Sequence, residues 1–237
     1  MLAIRTWRVL PWLKPGGRLH AGSYTELPEC ATLTGMPAVD DRRTLRREMA
    51  ARRAALTAPA RIAAAEGVAR SLEQLPEFVV DPNVAGYWAV RGEVPLNLAV
   101  ARLASREQHY FLPVLDDSAP RTLRFAEFRA GAAVAPNRFG IPEPRDAEAV
   151  SARQLDVVLL PLLAFDARGH RLGTGGGWYD TTFSFLRKQP RPARPLLVGI
   201  GYAFQQVDAL PAEDWDVPLD CIATERGLID CTSSEHP

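Results

Sequence analysis

A chain of 237 residues, 47% of them hydrophobic, can bury one sizeable core or two small ones. Its 28 Lys and Arg balance 28 Asp and Glu, so no net field draws it to nucleic acid or to an anionic membrane, and no apolar run approaches the roughly 20 residues that cross a bilayer. Cys30, Cys221 and Cys231 are too few and too irregular for a disulfide framework or a Cys-based zinc site, which makes a reducing cytoplasm the expected compartment.

Residues 1–38 carry scattered Gly, Pro and Thr without an apolar period, and read as a poorly ordered extension. Arg5, Trp7, Arg8, Pro11, Trp12, Lys14 and Pro15 break every stretch that a signal peptide would need. A transit peptide would fit the few acids and several Arg, but not the missing amphipathic pattern. A single α/β domain is expected over 39–230, with 231–237 as a tail.

The organised chain opens near Asp40 with a helix whose inner face is Leu45, Met49 and Leu56. A second helix starts at Thr57, with Pro59 in its first turn and Ile62, Ala65, Ala69 and Leu72 at spacings of three and four, so the pair predicts a helical hairpin. Val84 to Ala89 reads as a strand, Pro95 opens a helix with Leu96, Ala99, Val100 and Leu103 in register, and Tyr110 to Val114 is the next strand. Gly131 to Arg145 reads as a long surface loop. Asp156 to Leu160 and Leu196 to Tyr202 are buried strands, and between them a Gly-rich loop leads into a helix with Tyr179, Phe183 and Leu186 inward. Short apolar runs alternating with helical patterns predict a layered α/β/α sandwich with a mixed, largely parallel sheet behind the N-terminal hairpin.

Four segments can carry chemistry. In R-L-G-T-G-G-G-W-Y-D, Arg171 to Asp180, four glycines within five positions leave backbone amides open to a phosphate. The spacing is neither a Walker A loop nor the dinucleotide fingerprint. Arg171 offers a fork to phosphate oxygens and Asp180 a carboxylate to Mg²⁺. The same stretch also reads as a plain turn before a helix. Arg42, Arg43, Arg46, Arg47, Arg52 and Arg53 crowd the first helix, either as a solvated face or as an anion clamp at the helix start. Trp88 and Glu93 follow a strand, where α/β proteins place ligands, and a ring beside a carboxylate suits a flat heterocycle such as a pterin; a surface Trp and Glu would look alike. Glu213, Asp214, Asp216 and Asp220 suit a hard cation or an exposed acidic loop. The four His are dispersed without metal-ligand spacing, and no nucleophile elbow occurs.

Together these residues resemble the 5-formyltetrahydrofolate cyclo-ligase, or methenyltetrahydrofolate synthetase, family from about Arg42 to Thr224. The most specific stretch is P-L-L-A-F-D-A-R-G-H-R-L-G-T-G-G-G-W-Y-D, Pro161 to Asp180. R-R-T-L-R (42–46), G-Y-W-A-V-R-G-E (86–93), F-G-I-P-E-P (139–144), G-I-G-Y-A-F-Q (199–205) and D-V-P-L-D (216–220) support it. The resemblance implies an enzyme that uses ATP and Mg²⁺ to turn 5-formyltetrahydrofolate into 5,10-methenyltetrahydrofolate, as a cytoplasmic monomer without nucleic-acid or membrane partners.

Carried across, it implies nucleotide contacts at Arg42, Arg43, Thr44, Leu45 and Arg46, and at Arg171, Leu172, Gly173, Thr174, Gly175, Gly176, Gly177, Trp178 and Tyr179. Folate contacts fall on Arg46, Trp88, Glu93 and Thr174 to Trp178, magnesium on Asp180 and Asp216, and the catalytic role on Arg171. The chain departs from the family's pattern at Arg42, commonly Lys, at Val94-Pro95-Leu96-Asn97, commonly begun by Asp-Thr, and at Trp178, commonly Tyr. Those departures leave a second hypothesis, a catalytically weak relative that binds folate or nucleotide. A third, an RNA module built on the 42–53 face, is disfavoured by the neutral charge and the missing aromatic motifs.

Overall fold

The computed structural model describes residues 40–145 and 147–232, all within one compact unit. The extension expected over 1–38, and the tail beyond residue 232, lie outside them.

Two helices open the order, α1 (Asp40–Ala54) and α2 (Ala58–Leu72), followed by the short α3 (Pro76–Val80). Thr57 caps α2 by accepting from the Ala60 amide, with Pro in the first turn as the sequence predicts. The hairpin, however, exists only as a turn: the two helices rest on different parts of the domain. Leu45 and Met49 of α1 join Leu163, Ala164, Leu172 and Leu210, whereas α2 lies against the main sheet's core through Ala64, Ala65, Val68 and Leu72. Ile62, expected inward, is exposed, because the buried stripe of α2 runs through its small residues.

After β1 (Asn83–Ala85) come α4 (Asn97–Ser105), β2 (His109–Leu115) and β3 (Leu123–Glu127). The 131–145 stretch is not all loop, for it pairs β4 (Val134–Pro136) with β5 (Pro142–Pro144). Its prolines hid the hairpin from a strand pattern, and Asn137 closes the tip by accepting from the amides of Phe139 and Ile141. Next are β6 (Ala149–Val150), β7 (Val157–Pro161), and the small ribbon β8 (Ala164–Phe165) and β9 (Arg171–Leu172). The helix expected after the glycines is only α5 (Trp178–Thr182), prolonged by one 3₁₀ turn over Ser184–Leu186, yet Phe183 and Leu186 do point into the core. β10 (Leu196–Ile200), β11 (Cys221–Thr224) and β12 (Gly227–Asp230) complete the chain.

The main sheet runs β12-β11-β10-β7-β1-β2-β3-β6. Its five central strands, β11 to β2, are parallel, and β12, β3 and β6 are antiparallel margins. Strands buried on both faces read as continuous apolar runs, as Val157 to Leu160 and Leu196 to Ile200 do. One face carries α2, α3 and α4 over Phe78, Leu103 and Leu159; the other carries α5 and its 3₁₀ turn over Phe125, Leu160, Phe183 and Leu197. This is the layered, largely parallel sandwich that the alternation predicts. From β1 the chain proceeds to β2 on one side, and from β7 to β10 on the other, so the order reverses between β1 and β7. A crevice opens there beyond the carboxyl ends of the strands.

Candidate active site

The crevice is a cleft of about 490 Å³. It collects Arg42, Arg46 and Arg53 from α1, Trp88 and Glu93 from the segment after β1, and Pro161 to Leu163 from the end of β7. Arg171 to Asp180 and Asp216 complete it.

Positive charge gathers at one end. Arg42 and Arg46 stand four residues apart on one face of α1. Arg46 donates from Nε to the Gly173 carbonyl at 2.9 Å and lies across the Gly-rich loop. Burial, and then the neighbouring Arg42, lower its affinity for its proton. Two guanidiniums so placed favour an anion between them. Gly175 has φ of 96°, so the loop's backbone there calls for glycine, and the Arg46 guanidinium lies within van der Waals reach of it. Because α5 has only five residues, Arg46 and Arg171 contribute more of the positive field than its dipole does.

Arg171 is held from two sides. Its Nη2 bonds Asp180 Oδ1 at 2.6 Å, and its Nη1 donates to the Val217 carbonyl. Asp180 Oδ1 also accepts from the Val217 amide at 3.2 Å. Asp216, one residue before, uses Oδ2 to accept from Arg42 at 3.2 Å and from the Glu213 amide at 3.0 Å. Arg42, in turn, reaches the Pro211 carbonyl at 2.5 Å and Glu213 at 3.5 Å. The expected acidic cluster therefore separates: Asp214 is exposed, and Asp220 is buried against Arg191 at 2.5 Å, behind the segment that carries Asp216.

No group of three or more His, Cys, Asp or Glu among the described residues can hold a metal by itself. Asp180 and Asp216 nevertheless fit Mg²⁺ arriving with a nucleotide, which takes one or two carboxylates and completes its shell from phosphate and water. Each of the two keeps its recorded bonds on a single oxygen.

The other end is aromatic and acidic. Trp88 is half-exposed, edge-on to Phe128 at 5.8 Å. Glu93 accepts from the Val90 amide at 3.0 Å, and burial raises its carboxyl pKa against the pull of that amide, Arg53 and Arg91. Phe139, at the β4–β5 tip, meets Trp178 edge-on at 5.7 Å, and the Arg138 guanidinium covers both rings. Tyr179 stacks on Phe183, its hydroxyl pushed well up by burial and then by Glu93.

Among the residues singled out in the sequence, Arg42, Arg46, Trp88, Glu93, Leu172 to Tyr179, Arg171, Asp180 and Asp216 line this one cleft. Arg43 and Thr44 are exposed on the outer side of α1, and Leu45 turns into the core beside Met49. Among the lining residues to which the sequence reading gave no site role, two stand out. Phe139 sits in what reads as loop. Arg53, counted with a solvated arginine face, is only 2% exposed. The stripe Arg42, Arg46, Met49, Arg53, at helical spacing with a buried methionine in it, is the signal that Arg53 turns inward.

The 5-formyltetrahydrofolate cyclo-ligase family model matches residues 38–225. The 5-formyltetrahydrofolate cyclo-ligase of Haemophilus influenzae is 35% identical over 180 residues, 75% of this chain and 94% of the relative. That of Escherichia coli strain K12 is 32% identical over 178 residues, 73% and 94% respectively. The NMR structure of Aquifex aeolicus 5,10-methenyltetrahydrofolate synthetase superposes with a TM-score of 0.69 at 29% identity, covering 83% of this chain and 95% of that one. The Mycoplasma pneumoniae 5,10-methenyltetrahydrofolate synthetase shares the fold, with a TM-score of 0.60 at 24% identity over 78% of this chain and 99% of that one.

Proposed function

Because the chain belongs to the 5-formyltetrahydrofolate cyclo-ligase family of enzymes, we propose that it couples ATP hydrolysis to closure of 5-formyltetrahydrofolate into 5,10-methenyltetrahydrofolate, with Mg²⁺ as cofactor. The observation that carries this reading is the polarity of one cleft: guanidiniums, a glycine loop and two carboxylates at one end, and Trp88 with Glu93 at the other.

The chemistry requires both ends. The N5-formyl group is an amide, poorly electrophilic, and its oxygen cannot leave as it stands. Transfer of the γ-phosphoryl group to that oxygen makes it a leaving group and releases ADP. N10 then attacks the formyl carbon, the N10 proton is lost, and phosphate departs with the oxygen, which leaves the cyclic amidinium. Such a transfer depends on alignment and charge neutralisation more than on a strong base.

In this reading Arg42 and Arg46, with the loop from Arg171 to Tyr179, hold the nucleotide, whereas Arg43, Thr44 and Leu45 point away from it. Arg171, fixed by Asp180 and the Val217 carbonyl, faces the transferring phosphoryl group with a pre-set guanidinium. Asp180 and Asp216 would hold Mg²⁺, which when bound neutralises phosphate charge. Trp88 and the ring of Trp178 flank the flat parts of the folate, Glu93 accepts N–H bonds from it, and Arg46 and Thr174 to Gly177 border both substrates. Cys221 and Cys231 are free, as suits a reducing cytoplasm.

The test is direct: purified protein mixed with 5-formyltetrahydrofolate, ATP and Mg²⁺ should generate the absorbance of methenyltetrahydrofolate, with one ADP per product. Product formed equally well without ATP would sink the coupling, and no product under any nucleotide would leave a folate-binding relative.

A further inference from the structure

Arg53 lies outside every role assigned above, and its surroundings are specific. It is an arginine with 2% of its surface exposed at the C-terminal end of α1. Its Nε donates to the Arg91 carbonyl at 3.0 Å, and its Nη1 to the Leu162 carbonyl at 3.3 Å. The first carbonyl belongs to the turn that carries Glu93, the second to the chain just past β7, so one fork spans both walls of the cleft. The turn is conformationally demanding, with φ of 51° at Arg91 and 77° at Gly92. A Cβ on Gly92 would stand 3.2 Å from the Arg53 carbonyl oxygen, so helix and turn are in direct contact. Tyr202 holds the same turn through the Gly92 carbonyl at 3.0 Å, and Tyr87 through that of Val94 at 2.8 Å.

Arg53 is also two helical turns beyond Arg46 on the same stripe, about 10 Å along a rigid axis. One helix thus presents arginines to the loop at one end of the cleft and grips the Glu93 turn at the other. We propose that Arg53 is a positioning residue for folate: by joining α1 to the 90–94 turn and to the end of β7, it fixes Glu93 in the cleft at a set distance from Arg46 and the glycine loop. The proposal rests on the reading of Glu93 as a folate contact. The charged and titratable groups around Glu93 are Arg53 from α1, Arg91 from its own turn, and the hydroxyls of Tyr87, Tyr179 and Tyr202. Loss of the Arg53 charge should therefore let Glu93 take up a proton at higher pH.

The experiment is equilibrium binding of 5-formyltetrahydrofolate to the full chain, without nucleotide, followed by calorimetry from pH 5.5 to 8.5. Glu93→Gln tests the underlying reading, and normal folate affinity in that variant overturns it and the proposal together. With Glu93→Gln weakened, Arg53→Met should bind folate about tenfold more weakly, and its loss of affinity on acidification should begin at higher pH than in the unaltered protein. The double variant should bind within about twofold of Glu93→Gln alone, because Arg53 acts through Glu93. Full additivity in the double variant, or an unmoved acid limb in Arg53→Met, overturns the proposal and leaves the Glu93 reading standing. Should Arg53→Met not melt cooperatively, Arg53→Lys carries the test. It keeps the charge and loses the fork, so folate binding should weaken a few-fold with the acid limb in place, and unaltered binding there overturns the proposal.

Discussion

Replacing Asp180 by Asn removes one charge at nearly constant volume, and the two roles of that carboxylate predict separable effects. In the first role Asp180 Oδ1 receives Arg171 at 2.6 Å and the Val217 amide at 3.2 Å. A hydrogen bond to a charged group is worth roughly 1.5–3 kcal/mol and a neutral one about 1, so the exchange costs about 1–2 kcal/mol before Arg171 is considered. The Arg171 side chain is 6% exposed and would lose its counter-charge, although Asp180 itself is 27% exposed, so the roughly 3–5 kcal/mol for breaking a fully buried pair is an upper bound. A total of about 2 kcal/mol corresponds to a Tm lower by roughly 4–8 °C in a chain of this size, measurable by calorimetry without nucleotide. In the second, proposed role Asp180 would help to hold Mg²⁺. Asp180→Asn should then raise the Mg²⁺ concentration for half-maximal activity by more than about tenfold, and lower kcat by about 10²–10³ at saturating substrates. A variant whose Tm falls as expected but whose magnesium titration overlays that of the unaltered protein would reduce Asp180 to a strut for Arg171.

Two further substitutions probe the supports of the cleft. Arg42→Ala loses half-exposed ion pairs to Glu213 and Asp216, worth at most about 1 kcal/mol together, so Tm should move by no more than about 4 °C. Its KM for ATP should nevertheless rise about tenfold while that for folate stays within about twofold, and equal shifts in both would mean that α1 itself had moved. Asp166 is fully buried under the β8–β9 ribbon that presents Arg171; burial raises its carboxyl, but the amides of Leu210 and His170 and the His170 ring outweigh this and hold it below the usual range. A depressed pKa stabilises the fold above the unfolded value and is lost as pH falls through the folded one. Asp166→Asn should therefore destabilise the protein by about 2–4 kcal/mol at pH 7, and the gap should begin to narrow as pH falls below about 4, where the unfolded chain takes up its proton before the native carboxylate does. A gap in chemical denaturation that stays constant as the pH is lowered from neutrality through the carboxylate range would contradict the assignment.

The sheet was legible because its central strands are buried on both faces, and such strands must be apolar throughout, as Val157 to Leu160 are. The first strand ended sooner than its sequence indicates: β1 closes at Ala85, the Gly86 amide makes a last bond to the Phe111 carbonyl, and Tyr87 to Ala89 leave the ladder to carry Trp88 into the cleft. An apolar run marks burial, which Tyr87 has, without marking which backbone groups find a partner. The β4–β5 hairpin was hidden for the opposite reason, since Pro136, Pro142 and Pro144 are depleted in strands at large and tolerated on a two-stranded ribbon.

The arginine run shows most sharply where sequence stops being informative about a site. Six arginines within twelve residues look alike as solvated charges, and a count of charge cannot rank them. Their fates in the fold diverge. Arg43 stays in solvent, Arg42 meets Asp216 across 174 residues, Arg46 meets Gly173 across 127, and Arg53 meets Leu162 across 109. What decides each is the partner that the sheet order brings opposite that turn of α1, and a carbonyl acceptor carries no side-chain signature at all. Periodicity narrows the choice to the stripe shared with Met49, because a buried methionine four residues before Arg53 leaves that arginine nowhere else to point. The same logic separates Asp216 from Asp220: four residues apart in one acidic stretch, one borders the cleft and one is sealed beneath it, since Leu219 between them is buried in the core and turns the chain. Charges of one composition thus divide into cleft-lining arginines, a buried fork between the cleft's walls and a sealed anchor only after the β1–β7 reversal has fixed where the cleft lies.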